Sequence, residues 1–340
     1  MSQEKDKPDV EPPAQGSAEL DDFDDDITLV AVRADILRLR AELARGGNVR
    51  RVFDDDEYLE YTVEEIDEDL EPAARAYGLI ADAGADADDP TLTTNAFLVS
   101  AARQTDRGQR RPRNEDRFLC LDDEGVFFVA DGMGGYAGGD IAAQLAVDTV
   151  ARAFREKRFD ARVHSNLPRR PTELAQAMQM ANLAIWETAT DDPRLRGMGT
   201  TLVGARFALR KRRVYIGHVG DSRCYRFRDG GLRLLTIDHT LAAYGVKGPT
   251  AHRLVRAVGI ASEVEIDLIM CEPRLGDVYM FCTDGLNKMV GDDDIHLVLE
   301  RERSLPAAAR VLVDLANERG GKDNITVVLV AVRPPADIFS

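Results

Sequence analysis

Along this 340-residue chain, carboxylates recur at the ends of strand-forming apolar runs. Val126 to Ala130 is a short apolar run of the kind that forms a buried strand, and it meets Asp131-Gly132-Met133-Gly134-Gly135. Glycine tolerates positive φ, so the chain is expected to turn hard there and expose a carbonyl. Phe281-Cys282-Thr283 runs into Asp284-Gly285 in the same way. Gly220-Asp221-Ser222-Arg223 forms a tight turn between two strand-like segments, and Asp323-Asn324 precedes the run Ile325 to Val332. Asn114-Glu115-Asp116 lies just before a further strand, Arg117 to Leu121. One Asp-Gly alone reads as a strand closed by a common turn dipeptide. Repetition changes that reading, because clustered carboxylates repel one another unless cations neutralise them. Convergence of these segments implies a polynuclear site for hard divalent cations.

In order and spacing these motifs resemble the metal-dependent protein serine/threonine phosphatases of the type-2C (PPM) family. The matching residues are Arg111 with Asn114-Glu115-Asp116, Asp131 to Gly135, Gly197-Met198-Gly199-Thr200-Thr201, Gly220 to Arg223, Asp238-His239-Thr240, Thr283-Asp284-Gly285 and Lys322-Asp323-Asn324. They span roughly Phe97 to Val332, and the methionine of Asp-Gly-Met-Gly-Gly resembles the bacterial branch. The resemblance implies an α+β fold, an α-β-β-α sandwich of two antiparallel sheets flanked by helices, with metals at one edge. It implies two core Mn²⁺ or Mg²⁺ ions. Asp131 would bridge them, the Gly132 carbonyl would ligate one, and Glu115, Asp284 and Asp323 the other. Asp116 would orient the attacking water, Arg111 would clamp the phosphate, and Asp221 would ligate a weaker third ion. Two departures matter. Met133 stands where many eukaryotic members carry a histidine as general acid, and it donates no proton. Lys288 stands where the family often has an acidic residue, which leaves the third ion open. The region from Asp238 to Glu263 is also short against bacterial relatives.

The implied activity is hydrolysis of phosphoserine and phosphothreonine in proteins, among them a cognate kinase or its substrates. An inactive phosphatase-like binding module and a phosphatase of small phosphoesters are the alternatives. No histidine nucleophile is needed, so His239 is expected to be a loop or core hydrogen-bonding residue; His252 falls in an expected flap helix.

Charge divides the chain. Residues 1–95 hold 27 acidic against 9 basic side chains, a net −18, whereas the remainder is +2. The expected organisation is therefore an acidic extension over 1–95, a catalytic domain over 96–333 and a short tail over 334–340. Nucleic acid is excluded as a partner because no basic stripe dominates. No apolar stretch approaches the ~20 residues of a membrane span, and no signal-peptide core opens the chain. Cys120, Cys224, Cys271 and Cys282 lack CxxC spacing and read as reduced core thiols of a cytoplasmic protein. Within the extension the pattern predicts a helix over 27–45, an extended acidic segment over 48–69, a short helix over 70–80 and a linker over 81–94. Two readings of it stand open, a solvated tail and a module that docks a partner. Downstream, strands are expected at 97–102, 117–121, 126–130, 201–209, 214–219, 224–228, 264–270, 278–282 and 325–332. Helices are expected at 140–155, 172–188 and 305–319. The last strand, apolar almost throughout, should be central.

Overall fold

The computed structural model describes residues 79–81, 97–134, 138–160, 168–208 and 211–334. Two sheets stack face to face with helices on both outer surfaces. The first sheet runs in the order β1 (Leu79–Ala81), β10 (Asp267–Cys271), β7 (Arg213–Val219), β6 (Leu202–Ala208), β4 (Val126–Met133), β3 (Asp116–Leu121). A short β5 (Gly199–Thr200) pairs with the end of β4. The second sheet runs β2 (Leu98–Asp106), β12 (Ile325–Arg333), β11 (Val278–Cys282), β8 (Arg223–Arg228), β9 (Gly231–Leu234). Among the described residues, every pairing is antiparallel except that of β1 with β10.

Strand alternation builds the layers. In β4, Phe127 and Val129 point between the sheets, while Phe128 and Ala130 pack under α1 (Gly138–Glu156) and α2 (Arg169–Asp191). In β12, Val328 and Val330 meet the first sheet. Val327 and Leu329 face the helices α3 (Asp284–Asn287), α4 (Asp292–Arg301) and α5 (Leu305–Glu318). The runs 126–130 of β4 and 327–332 of β12 are apolar without a break because each is buried on both faces. β12 lies inside its sheet, as its composition predicts.

Several expectations change. β4 does not stop at Asp131 but continues to Met133, and the left-handed turn falls at Gly134, with φ of 137°. Gly132 serves close approach instead: a Cβ there would lie 2.1 Å from the Gly139 carbonyl oxygen. The strand expected from Val264 begins at Asp267, because Gln179 hydrogen-bonds the backbone of Val264 in place of a ladder partner. His252 sits in a turn, not a helix. On α5 the buried stripe is Ala308, Ala309, Leu312, Val313 and Ala316, and Val311 is exposed. Leu79 and Ile80 form strand where helix was expected, while 70–78 lie outside the described residues. So do the expected helix over 27–45, the segment 48–69, the linker after Ala81 as far as Thr94, and the tail from 335.

Candidate metal centre

Register brings the carboxylates to one edge of the sandwich. Asp116, the first residue of β3, pairs directly with Asp131 of β4. In the second sheet Arg223 pairs with Cys282, and Cys282 with Val327. Asp221, Asp284 and Asp323 therefore project beyond the same end of three adjacent strands. The turn Gly220–Ser222 also carries the chain from β7 in one sheet to β8 in the other, so both sheets open onto this edge. Gly220 holds φ of 108° there.

Like charges directly opposite on paired strands are destabilising, and the side chains register that cost. Burial, then Asp116, Asp284, Asp323 and Asp221, push the Asp131 carboxyl well above the usual carboxylate range. Asp116 is pushed up to about 8 by burial, against the Thr283 and Thr326 hydroxyls that pull it back, with Asp323 and Asp284 adding to the rise. Asp221 is raised to about 8, again by burial first and then Asp284, against Lys288. Burial and Asp284 raise Asp323, which Arg111 partly offsets. Five aspartates thus share one small volume.

Hydrogen bonds fix them. The Thr283 hydroxyl donates to Asp116 Oδ2 at 2.8 Å, and the Thr326 backbone N–H donates to that same hydroxyl. Asp131 is held through its backbone: its carbonyl accepts from Thr201 N–H and the Thr200 hydroxyl, and its N–H donates to Thr201 Oγ1. Arg111 grips Asp323 with two donors, Nε to Oδ1 at 3.0 Å and a terminal nitrogen to Oδ2 at 3.1 Å. Glu115 lies beside the Gly132–Gly139 approach, where a Cβ on Gly139 would come within 2.8 Å of Glu115 Oε2. Lys288 pairs with Asp284.

The donor set suits hard divalent cations. Asp116 Oδ1 and Asp284 Oδ1 are buried and have no hydrogen-bond partner among the described residues. Buried carboxylate oxygens rarely stay bare, and a cation among them would supply the missing partner and reverse the sign of the pKa shifts. Every residue expected at the site from sequence, from Arg111 to Asp323, stands at this edge. Asn324 stands in a matched motif, but sequence assigned it no role: its side chain donates to the carbonyls of Arg107 and Arg113 and accepts from Glu115 N–H, so it ties the Arg111 loop to β12. Its three-way bonding leaves no trace in the one-dimensional pattern.

A second group, His218, His239 and Asp267, brings its ligand atoms within 4.8 Å of one another. Its hydrogen bonds argue against a metal. His239 Nδ1 accepts from Gly220 N–H, so Nε2 carries the proton and donates to Asp267 Oδ2 at 3.0 Å. Asp267 Oδ1 is taken by Arg256 at 2.6 Å. His239 is a buried hydrogen-bonding residue, as the sequence indicated, and it holds the turn that carries Asp221.

The family profile described as protein phosphatase 2C matches residues 103–327. The chain belongs to the protein phosphatase 2C family. This phosphatase-family chain is 36% identical over 246 residues to the serine/threonine phosphatase stp of Listeria monocytogenes, covering 68% of this chain and 95% of that one. The Mycobacterium tuberculosis serine/threonine phosphatase PstP/Ppp has a similar structure: TM-score 0.62 at 34% identity, over 69% of this chain and 99% of that one. The catalytic domain of PstP in complex with two manganese ions superposes with TM-score 0.60 at 34% identity, over 70% and 99% of the two chains. These folds share the two antiparallel sheets and flanking helices described above.

Proposed function

We infer that this chain is a metal-dependent protein serine/threonine phosphatase that hydrolyses phosphoserine and phosphothreonine in protein substrates, using Mn²⁺ or Mg²⁺. The observation that carries this reading is the convergence of Asp116, Asp131, Asp221, Asp284 and Asp323 with Arg111 at one open edge. Family membership and the manganese-bound PstP relative support it. Glu115, Asp131, the Gly132 carbonyl, Asp284 and Asp323 would hold two divalent ions. When bound, such ions lower the pKa of a water between them and neutralise charge as the P–O bond breaks.

The chain's own groups do the rest. Arg111 sits on the loop before β3, and its planar fork already makes a two-point contact with a carboxylate, the geometry that a phosphate also offers. Metal capture of Asp323 would free that fork for the phosphate. Asp116 Oδ1 is buried without a hydrogen-bond partner among the described residues while Oδ2 is pinned by Thr283, which supports a role in which Asp116 would accept the hydrogen of the attacking water and fix its direction. No nucleophilic serine, cysteine or histidine is required, and His218 and His239 are committed to the sheet interior. We assign the acidic extension a partner-docking role, supported by the −18 against +2 charge division.

The test is Mn²⁺-dependent release of phosphate from phosphothreonine, phosphoserine and phosphotyrosine peptides assayed side by side. Turnover of the first two, abolished by a chelator and restored by Mn²⁺, is expected. Metal-loaded protein that leaves all three peptides intact would overturn the reading.

A further inference from the structure

Lys288 follows the four-residue helix α3 as its C-cap, and its N–H donates to the Asp284 carbonyl at 2.9 Å. The spacing of four residues lays its side chain along the same side as Asp284, and its ammonium contacts Asp284 Oδ2. Asp221 and Asp131 also act on that ammonium. Asp284 Oδ1, the other oxygen, is buried and stays without a partner among the described residues. One face of Asp284 is therefore taken by an ammonium and the other is left for an ion.

We propose that Lys288 is a resident cation of the centre, occupying the side between Asp284 and Asp221, restricting the site to two divalent ions and keeping Asp221 from ligating metal. This rests on the metal-centre reading above and sharpens it. Charge supports it. Six carboxylates (Glu115 and five aspartates) face two cationic side chains, Arg111 and Lys288. Two divalent ions bring that resting set to neutrality, and a third would leave a surplus of two positive charges in a partly desolvated pocket. An ammonium has three donors and no exchangeable ligand water, so it neutralises Asp221 and Asp284 without supplying anything that could attack or protonate a substrate.

The experiment counts Mn²⁺ bound to the full chain, to Lys288→Gln and to Lys288→Asp, by calorimetric titration and equilibrium dialysis, with anomalous scattering from Mn²⁺-soaked crystals to place each ion. Thermal melts confirm that the variants fold, which the 44% exposure of the Lys288 side chain favours. Two ions in the natural chain and a third, ligated by Asp221, in both variants are expected. A third ion on Asp221 in the natural chain overturns the proposal, as does a count of two in every form. A third ion in Lys288→Asp alone also overturns it, because that outcome reports an added ligand and not a removed cation. Failure of the phosphatase reading would look different: no tight Mn²⁺ in any form, or loaded protein inert towards phosphopeptides.

Discussion

Asp131→Asn separates the two things its carboxylate does. It removes a carboxylate proposed above to hold the divalent ions, so phosphopeptide turnover should vanish in Mn²⁺, and Asp323→Asn should behave alike. The same change should stabilise the metal-free protein. The folded-state pKa of Asp131 is raised above its ordinary 3.8, so its stabilising contribution is present below that value and is lost as pH rises towards the folded pKa. An amide has no such loss. The metal-free variant should therefore melt higher than the natural chain at pH 7, with the gap closing near pH 4; saturating Mn²⁺ should reverse the order. A variant that melts lower than the natural chain without metal would contradict the electrostatic account. Arg111→Ala should cost about 10²-fold in turnover, the scale of removing one preorganised donor, with Mn²⁺ affinity retained. Asn324→Ala deletes three hydrogen bonds of a buried side chain, each worth about 1 kcal/mol. Chemical denaturation should show a loss of about 3 kcal/mol, accompanied by weakened Mn²⁺ binding as the Glu115 and Arg111 segments come free of β12. Unchanged stability would mean that these bonds are idle.

At the scale of elements, legibility followed burial. β11 was read from sequence with its ends in place, and β12 and α2 nearly so, because each carries an unbroken apolar run or a full helical stripe. α4 escaped although its three opening aspartates suit a helix N-terminus and Ile295, Val298 and Leu299 share one face. Its ten residues follow so closely on the motif at Asp284 that the apolar period is short and easily lost. β9 escaped because four residues of alternation are too few to stand out. The carboxylate ends of the strands were visible in sequence; that β7 and β8 belong to different sheets was not, since only register shows where a chain changes layer. The same limit hid the pairing of His218 with Asp267 across β7 and β10. Burial first, and then His239, hold His218 well below the ordinary imidazole value, while burial and Arg256 lower His239. Both are biased towards the neutral form in the fold, His239 against the Asp267 hydrogen bond that favours its charged form. Below about pH 6.5 the unfolded chain binds protons that the folded chain refuses, so stability present above that pH is lost as pH falls. The Asp cluster works with the opposite sign, so the comparison must be made between proteins at each pH. His218→Asn should flatten the acid side of the denaturation midpoint between pH 7 and 5 relative to the natural chain. Parallel curves for the two proteins would show that His218 titrates normally.

At the scale of the whole molecule, the boundary drawn from charge at residue 95 meets a strand that does not respect it. Leu79–Ala81 lies parallel to β10, with Leu79 opposite Leu268 and Ala81 opposite Met270. The acidic segment is thus tied to the sheet edge farthest along the strand order from β3 and β4, where the site opens. Three residues of edge pairing contribute little. With a few ladder bonds at about 1 kcal/mol each, their removal should cost at most about 3 kcal/mol. Among the described residues, the two cores on the first sheet are assembled from residues 97 and later. A protein beginning at Leu92 should therefore fold, bind Mn²⁺ and hydrolyse a small aryl phosphate at a rate close to that of the full chain. It should also expose the backbone groups of β10, and an unpaired edge invites association. A second protein beginning at Gly78 keeps β1 and separates the two effects. The longer form should remain monomeric by light scattering at concentrations where the shorter one self-associates, with equal aryl phosphate turnover in the dilute limit. If the shorter form is insoluble or fails to bind Mn²⁺ while the longer one is active, β1 is an integral strand of the catalytic fold and the domain begins near residue 78.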